Sequence, residues 1–405
     1  MRPLEGRRFW FVGIGGAGMS ALALVAQDWG AEVAGSDRTR SSSYVERLEA
    51  AGIQVVVGHE AANVPAEAEV VVSSAIAPDN PEVSRARVKK KRAELLAELV
   101  ALRPSMVVAG AHGKTTTAAM IAFVLDRLGL DPTFLIGGEI PQLGGNARAG
   151  EGWLVAEGDE SDRSLELLSP QVAVLTNVDL DHHATFSSEA EVRGLFVHWL
   201  ERAPSAVRGD ELEPADLALA LGGEHNRRNA ATALAALELA GVPREEAERV
   251  LPGFAGAARR FELRGEAGGV RVYDDYGHHP REIAATLAAA RSAVDGGRLL
   301  VVFQPHLYSR TRYLAHELAS ALAAADVVAV TGVYAAREEP LPGVEGKLVV
   351  DGLAAERPGM PLAWTPDVED AVHFLARLAR PGDLVLTIGA GDVERAAPLL
   401  LQELA

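Results

Sequence analysis

Lys114 and Thr115 close the turn Gly110-Ala-His-Gly-Lys-Thr115, and of all residues in the chain they most directly prescribe a chemistry. A lysine ammonium and a threonine hydroxyl at a helix start, behind glycines that let backbone N–H groups approach a ligand, make a cradle for a nucleoside triphosphate. The hydroxyl in such a cradle can ligate Mg2+. The strict form of this loop has four residues between its glycines; here Ala111 and His112 stand alone between them.

A second glycine turn lies near the start of the chain. Gly13, Gly15 and Gly18 follow the pattern G-x-G-x-x-G, and Asp37 sits where an acid reaching a ribose hydroxyl would stand. Such a turn holds any diphosphate, so a nicotinamide dinucleotide and a UDP-sugar both remain open on these residues. Carboxylates and imidazoles gather elsewhere after apolar runs. Glu157 closes Trp153-Leu-Val-Ala-Glu157 and precedes Gly158-Asp-Glu-Ser-Asp162, and Val172-Ala-Val-Leu-Thr176 runs into Asn177-Val-Asp-Leu-Asp-His-His183. Glu157 and His182, at strand ends beside the phosphate loop, suit Mg2+ and the reacting groups. Asp159, Glu160, Asp179 and His183 can equally serve as loop caps.

The elements needed to position these residues follow from hydrophobic patterning. Met106 to Ala109 reads as a buried strand and the stretch after Lys114 as an apolar helix. Strands are expected at 8–12, 31–35, 54–57 and 70–73, with helices at 19–29 and about 44–51, the alternation of a parallel sheet with helical crossovers. One helix is expected from about Glu82 to Leu102, with the basic run Arg85 to Arg92 as its solvated face in preference to an anion site. Arg103-Pro104 breaks the chain before the phosphate loop. Glu191 to Leu200 is a helix, 201–221 is acidic and Pro-rich with little strand pattern, and an Ala/Leu helix follows Gly223-Glu-His-Asn-Arg-Arg-Asn229. After a helical linker, strands at 270–273, 299–303, 327–331 and 384–388 form a third α/β unit. Its strand ends carry Asp274-Asp-Tyr-Gly-His-His-Pro280 and Gln304-Pro-His306.

With 405 residues, two or three domains are expected. Hydrophobic content of 48% and charged content of 23% are those of an ordinary globular protein. A net charge of −17 argues against general binding of nucleic acid. The chain has no cysteine, which excludes disulfides, thiolate metal sites and a cysteine nucleophile. No signal peptide and no membrane span are expected, and the cytoplasm is the expected compartment.

Ten strings, taken in order, resemble the Mur ligase family of peptidoglycan synthesis. They are GIGGAGMSALA (13–23), SSAIAPDNPE (73–82), GAHGKTTT (110–117), AEGDESD (156–162), TNVDLDHH (176–183), GEHNRRNA (223–230), ARRFE (258–262), DDYGHHP (274–280), FQPHLYSRTR (303–312) and LTIGAGD (386–392). The resemblance implies three α/β domains: a Rossmann-like UDP-binding domain at 1–102, a P-loop ATPase-type parallel sheet at 103–254, and a Rossmann-like domain at 255–405. It implies a ligase that uses ATP and Mg2+ to add L-alanine to the carboxylate of UDP-N-acetylmuramate through an acyl phosphate. No nucleic acid or membrane partner is implied, and the chain would be a monomer or weak homodimer.

Residue by residue, the resemblance places Gly15, Gly16, Gly18 and Met19, with Ser36, Asp37 and Ser74, on the UDP-sugar. Gly110, His112, Gly113, Lys114, Thr115 and Thr116 would hold the ATP phosphates, and Thr115, Glu157 and His182 the Mg2+. Asn226 and Asn229 would approach the adenine, while Arg260 and Asp275 would touch the nucleotide. His278, His279, His306, Arg310 and Arg312 would line the carboxylate and amino-acid side. Lys114, Glu157, His182, His278, His306 and Arg310 would form the catalytic set. The chain departs from the family in a short 201–221 segment, which implies fewer peripheral strands in the central domain. It departs also in Arg163, where a small residue is usual, in Leu307, where a basic one is, and in Gly158 for alanine. Three readings compete: an NAD-dependent dehydrogenase, which leaves the phosphate loop unexplained; a recycling ligase joining a tripeptide to the same sugar; and a homologue that binds without turnover.

Overall fold

The computed structural model describes residues 2–40, 42–73, 76–180, 185–336 and 338–405. It divides into two compact units, Met1–Ala257 and Ala258–Ala405. The first unit holds two sheets and the second holds one.

The first sheet has five parallel strands: β1 (Arg8–Val12), β2 (Glu32–Asp37), β3 (Gln54–Val57), β4 (Glu69–Val72) and β5 (Val88–Lys91), in the order β3-β2-β1-β4-β5. Its helices are α1 (Ala17–Asp28), α2 (Ser43–Ala50), α3 (Pro81–Arg85) and α4 (Arg92–Ala101). The single helix expected over 82–102 is therefore corrected. Two short helices flank a strand, Val88-Lys-Lys-Lys91, which pairs with β4. Of the run that reads as a solvated helix face, residues 88–91 are an edge strand, where lysines discourage pairing with another chain, while Arg85 ends α3 and Arg92 begins α4. Lys90 holds the strand down through ion pairs to Glu69 at 3.3 Å and to Glu98. Glu69 and Glu98 also receive Arg7, and these contacts hold both carboxyls below their ordinary values against the effect of burial.

The second sheet contains β6 (Ser105–Ala109), β7 (Thr133–Ile140), β8 (Gly145–Arg148), β9 (Leu154–Glu157), β10 (Val172–Leu175) and β11 (Ser205–Arg208), ordered β11-β10-β6-β9-β7-β8. All its pairings are parallel except β7 with β8. Two elements depart from expectation. The hairpin β7–β8 forms where glycines obscure the alternation. The acidic 201–221 segment contributes β11, whose four residues lie at the sheet edge and carry only one buried side chain, too few to show a strand pattern. The central strands β6 and β10 are buried along their whole length, as parallel strands covered on both faces require. Helices α5 (Lys114–Arg127), α6 (Glu189–Arg202), α7 (Glu224–Leu239) and α8 (Arg244–Val250) complete this part.

One apolar cluster runs through both sheets of the first unit, joining Phe11, Leu22 and Leu99 to Val107, Leu154, Phe196 and Trp199. The Trp199 indole donates to the Leu168 carbonyl at 3.0 Å, which satisfies its only polar atom in the core. Helix α1 packs on β7 and β8, and the buried Asn146 of β8 donates to the Ala17 carbonyl at 3.0 Å.

The second unit is a six-stranded sheet of β12 (Glu262–Ala267), β13 (Val270–Asp275), β14 (Leu299–Phe303), β15 (Val327–Val330), β16 (Leu362–Trp364) and β17 (Leu384–Ile388), ordered β12-β13-β17-β14-β15-β16. Only β12 runs antiparallel to its neighbour. Helices α9 (Pro280–Ala293), α10 (Tyr308–Leu322), α11 (Lys347–Glu356), α12 (Val368–Leu378) and α13 (Ala396–Glu403) cover it. Among the described residues, no helix is long and apolar enough to cross a membrane.

Candidate active site

Because β6, β9 and β10 are adjacent and parallel, the loops that follow them open on one edge of the sheet, the side where open α/β sheets bind ligands. The loop after β6 carries the lysine. Gly113, with φ of 80°, caps α5, and a Cβ built on it would lie 2.3 Å from Asn229 Oδ1. Gly110, with φ of 131°, would bring a Cβ within 2.2 Å of Thr176 Oγ1. Both positions therefore exclude a side chain by conformation and by space. The His112 carbonyl accepts from Thr176 Oγ1 at 2.7 Å and Asn177 Nδ2 at 2.9 Å, and its N–H donates to Asn177 Oδ1 at 3.0 Å. The strand end of β10 thus fixes the shape of the turn, and the His112 ring reaches Asp179 at 3.1 Å.

Lys114 Nζ donates to the Gly110 carbonyl at 2.5 Å and to Glu160 Oε1 at 3.0 Å. Burial opposes its charge, but the carboxylates of Glu160, Asp159 and Glu157 outweigh that and raise its pKa above the ordinary lysine value. Thr115 Oγ1 donates to Glu157 Oε2 at 3.1 Å, and the other oxygen of Glu157 accepts from the Gly137 N–H at 2.6 Å. A hydroxyl and a carboxylate converging from β6–α5 and β9 form a hard-oxygen donor pair of the kind Mg2+ prefers. Thr116 is buried in the first turn of α5. Glu160 is the residue that patterning undervalued. It is buried at 2% exposure as the lysine's counter-ion, and the sequence offered only its place in a run of acids.

Asn226 and Asn229 lie at the start of α7. Asn229 is buried against Gly113 and Asn226 bonds the Gly222 carbonyl at 2.8 Å. His182 and Ser74 lie outside the described residues.

In the first sheet, the Gly15 N–H donates to Asp37 Oδ2 at 2.8 Å, and the Arg38 N–H donates to Oδ1 at 2.7 Å. Asp37 thereby shapes the glycine turn as well as facing it. Gly16 caps α1, while Met19 is buried in the apolar cluster. Ser36 is fully buried and donates to Glu82 Oε2 at 2.5 Å. Arg163 has φ of 60°, lies over the Phe186 ring at 5.1 Å and pairs with Glu191.

In the second unit, Asp275 ends β13 with both oxygens engaged, by the Phe261 and Gly277 N–H groups, each at 2.8 Å. Burial pushes its carboxyl up to about 6, although Arg260 works in the other direction. Arg260 stacks on Tyr276 at 5.4 Å. The His278 and His306 rings are 5.7 Å apart, and the buried Arg310 donates to His306 Nδ1 at 3.1 Å, leaving the ring proton on Nε2. Leu307 adopts φ of 69° between them. His279 caps α9 and is buried, whereas Arg312 is exposed on α10.

The sequence matches three family models: Mur ligase family, catalytic domain over residues 8–103, Mur ligase middle domain over 108–205, and Mur ligase, glutamate ligase domain over 259–391. The chain belongs to the Mur ligase family. It is 42% identical to the UDP-N-acetylmuramate–L-alanine ligase of Thermobifida fusca, over 98% of this chain and 96% of that one. It is 41% identical to the ligase of the same name from Streptomyces coelicolor, over 98% and 97%. The alignment to the first relative spans 460 positions, more than this chain possesses, so this Mur ligase lacks segments that the relative carries. In structure it resembles the UDP-N-acetylmuramate–alanine ligase of Thermotoga maritima, with a TM-score of 0.83, 28% identity and 98% of each chain covered. A murein peptide ligase from Psychrobacter arcticus, 24% identical with a TM-score of 0.71 over 98% of this chain and 99% of that one, shares the fold.

Proposed function

We propose that this Mur ligase joins L-alanine to the muramoyl carboxylate of UDP-N-acetylmuramate at the expense of ATP. The observation that carries the reading is the phosphate loop, with Lys114 held by Glu160 and Thr115 by Glu157 at the ends of adjacent parallel strands. The relatives at about 40% identity that carry the alanine-ligase name support the choice of substrates over a tripeptide. A dehydrogenase has no use for the phosphate loop.

In this reading the carboxylate takes the γ-phosphoryl group of ATP, giving an acyl phosphate and ADP. The amine of alanine then attacks the acyl carbon and phosphate leaves, forming the amide. Two anions must approach each other, which a charged Lys114 and the backbone N–H groups at the start of α5 favour. Thr115 and Glu157 fit Mg2+, which when bound would neutralise phosphate charge. The glycine turn after β1 and Asp37 would seat the sugar nucleotide, and Asn226 and Asn229 the adenine side of ATP. Arg310 and the imidazoles of His278 and His306 would receive the carboxylate and amine of alanine. We place the domain divisions at 102/103 and 254/255, and the reaction in the cytoplasm with small-molecule substrates only.

The test is phosphate release with Mg-ATP and UDP-N-acetylmuramate, with and without L-alanine, followed by product mass. Alanine-dependent phosphate and a UDP-N-acetylmuramoyl-alanine mass are expected. Turnover with tripeptide alone would sink this reading in favour of recycling. Binding of both nucleotides without turnover would leave a non-catalytic homologue.

A further inference from the structure

Arg92, the last residue of the basic run and the first of α4, touches both the first glycine turn and the loop after β9. Its Nη2 donates to Asp159 Oδ2 at 3.0 Å, reaching from the first sheet to the loop that follows β9 in the second. The same guanidinium covers Gly18, the last glycine of the first turn. Its Nη1 lies 3.1 Å from where a Cβ on Gly18 would be. The third glycine of this motif ordinarily admits close packing of helix on strand; here the vacated space is taken by a cation.

Asp159 is itself a built element. Its Oδ1 accepts from the Ser161 N–H at 2.9 Å, and its carbonyl accepts from the Leu165 N–H at 3.0 Å and Ser164 Oγ at 3.2 Å. Burial works against its charge, but Ser161, the Arg92 guanidinium and Lys114 outweigh it and hold its carboxyl below the ordinary value. A chain of alternating charge therefore runs from Gly18 through Arg92 and Asp159 to Lys114 and Glu160, linking the sugar-nucleotide turn to the ATP loop.

We infer that Arg92 is a positioning residue of the ligase reaction, which sets an anionic group of the sugar nucleotide beside Gly18 in register with the Lys114 loop. The inference rests on the proposed function for the identity of the two ligands. An arginine suits the task because its planar fork can keep one N–H edge on Asp159 while presenting another to phosphate or carboxylate. A lysine, with a single point charge, cannot serve both.

The variants R92Q, R92K, D159N and the double R92Q/D159N test it, read by steady-state kinetics and by the thermal shift that UDP-N-acetylmuramate produces without ATP. The expectation for R92Q is a rise of about tenfold in KM for UDP-N-acetylmuramate and a reduced thermal shift with that ligand. R92K should recover only part of either. D159N should weaken the sugar nucleotide less than R92Q does, and the double variant should show less than the product of the single effects. A structural tie alone would lower the melting temperature of R92Q and D159N equally and leave the KM and the ligand shift unchanged, which would overturn the inference. Additive effects in the double variant would overturn it too. Were the wild-type protein to bind UDP-N-acetylmuramate and never turn over, the proposed function would fail while the thermal shift of R92Q still decided this point.

Discussion

The ammonium of Lys114 sits 3.0 Å from Glu160 Oε1, so the cation of the phosphate loop has a buried carboxylate as its counter-ion. The pairing keeps Lys114 charged in a place where burial alone would discourage charge. Glu160 thus keeps the ammonium charged and aimed into the loop. Removing the carboxylate charge in Glu160→Gln leaves a partly buried cation without its counter-ion, at a cost of about 1–3 kcal/mol in stability. The expected result is a melting temperature several degrees lower and a loss of at least tenfold in kcat/KM for ATP. Lys114→Ala is expected to lose about 100- to 1000-fold in kcat, the range for deleting one group that stabilises developing charge. Phosphate-release kinetics check both, and a Glu160→Gln enzyme with unchanged ATP kinetics would count against this role.

Gly113 supplies a second prediction. Its positive φ and the 2.3 Å approach of Asn229 Oδ1 to the space a Cβ would fill mean that Gly113→Ala is strained whichever way the neighbours relax. Such strain costs about 1–3 kcal/mol. Because Asn229 belongs to the helix assigned to the adenine side, the substitution should weaken ATP more than the sugar nucleotide. Isothermal titration of a non-hydrolysable ATP analogue against UDP-N-acetylmuramate gives the comparison, and equal losses for both would refute the link between Gly113 and Asn229.

The residues most legible in the sequence are those whose type is dictated by the backbone. Gly110 and Gly113 cannot be replaced without collision, so the phosphate loop reads directly, and the apolar runs of β6 and β10 read because both faces are covered. Edges were less legible. In β5 three lysines hide a strand, since an edge strand needs only backbone pairing to β4 and gains from charged side chains. In β11 a single buried residue leaves no alternation to detect. The roles of Glu160 and Arg92 were less legible for another reason: the sequence shows one as a member of a run of acids and the other as a member of a basic run, whereas each is defined by a partner far along the chain, Lys114 and Asp159, and no local pattern encodes such a pairing. Met19, carried with its motif, has its side chain in the apolar cluster.

Asp275 makes the stability of the protein depend on pH in an unusual direction. Its carboxyl, pushed up to about 6 by burial, stays protonated in the folded state well above the unfolded value near 3.9. Between these values the folded state binds the extra proton, so this group's contribution to stability is present below about pH 4 and is lost as pH rises through 6. The loss amounts to about 3 kcal/mol for a shift of roughly two units. Asp275→Asn cannot titrate, so the difference in unfolding free energy between wild type and variant should slope across pH 4–6.5. Denaturant melts at several pH values measure it, and parallel curves would show that Asp275 titrates normally.

Glu82 is the last test, because it is fully buried and lies in neither glycine turn. Its Oε2 accepts from Ser36 Oγ at 2.5 Å and lies 3.3 Å from His59 Nδ1, while Oε1 accepts from Asn63 Nδ2 at 2.9 Å. Its own N–H donates to Asn80 Oδ1 at 2.9 Å, which fixes the start of α3. The carboxyl therefore gathers the end of β2, where Ser36 precedes Asp37, with the segments after β3 and β4. An amide in its place presents two N–H donors to a set of donors, and one buried group is left unmatched. Glu82→Gln is expected to cost about 1–3 kcal/mol in stability. Because Ser36 and Asp37 are consecutive in β2, it should also reduce the thermal shift given by UDP-N-acetylmuramate while leaving that given by ATP intact. A variant that melts lower but keeps the full sugar-nucleotide shift would confine Glu82 to the scaffold; one that melts as the wild type does would show that its hydrogen bonds contribute no net stability.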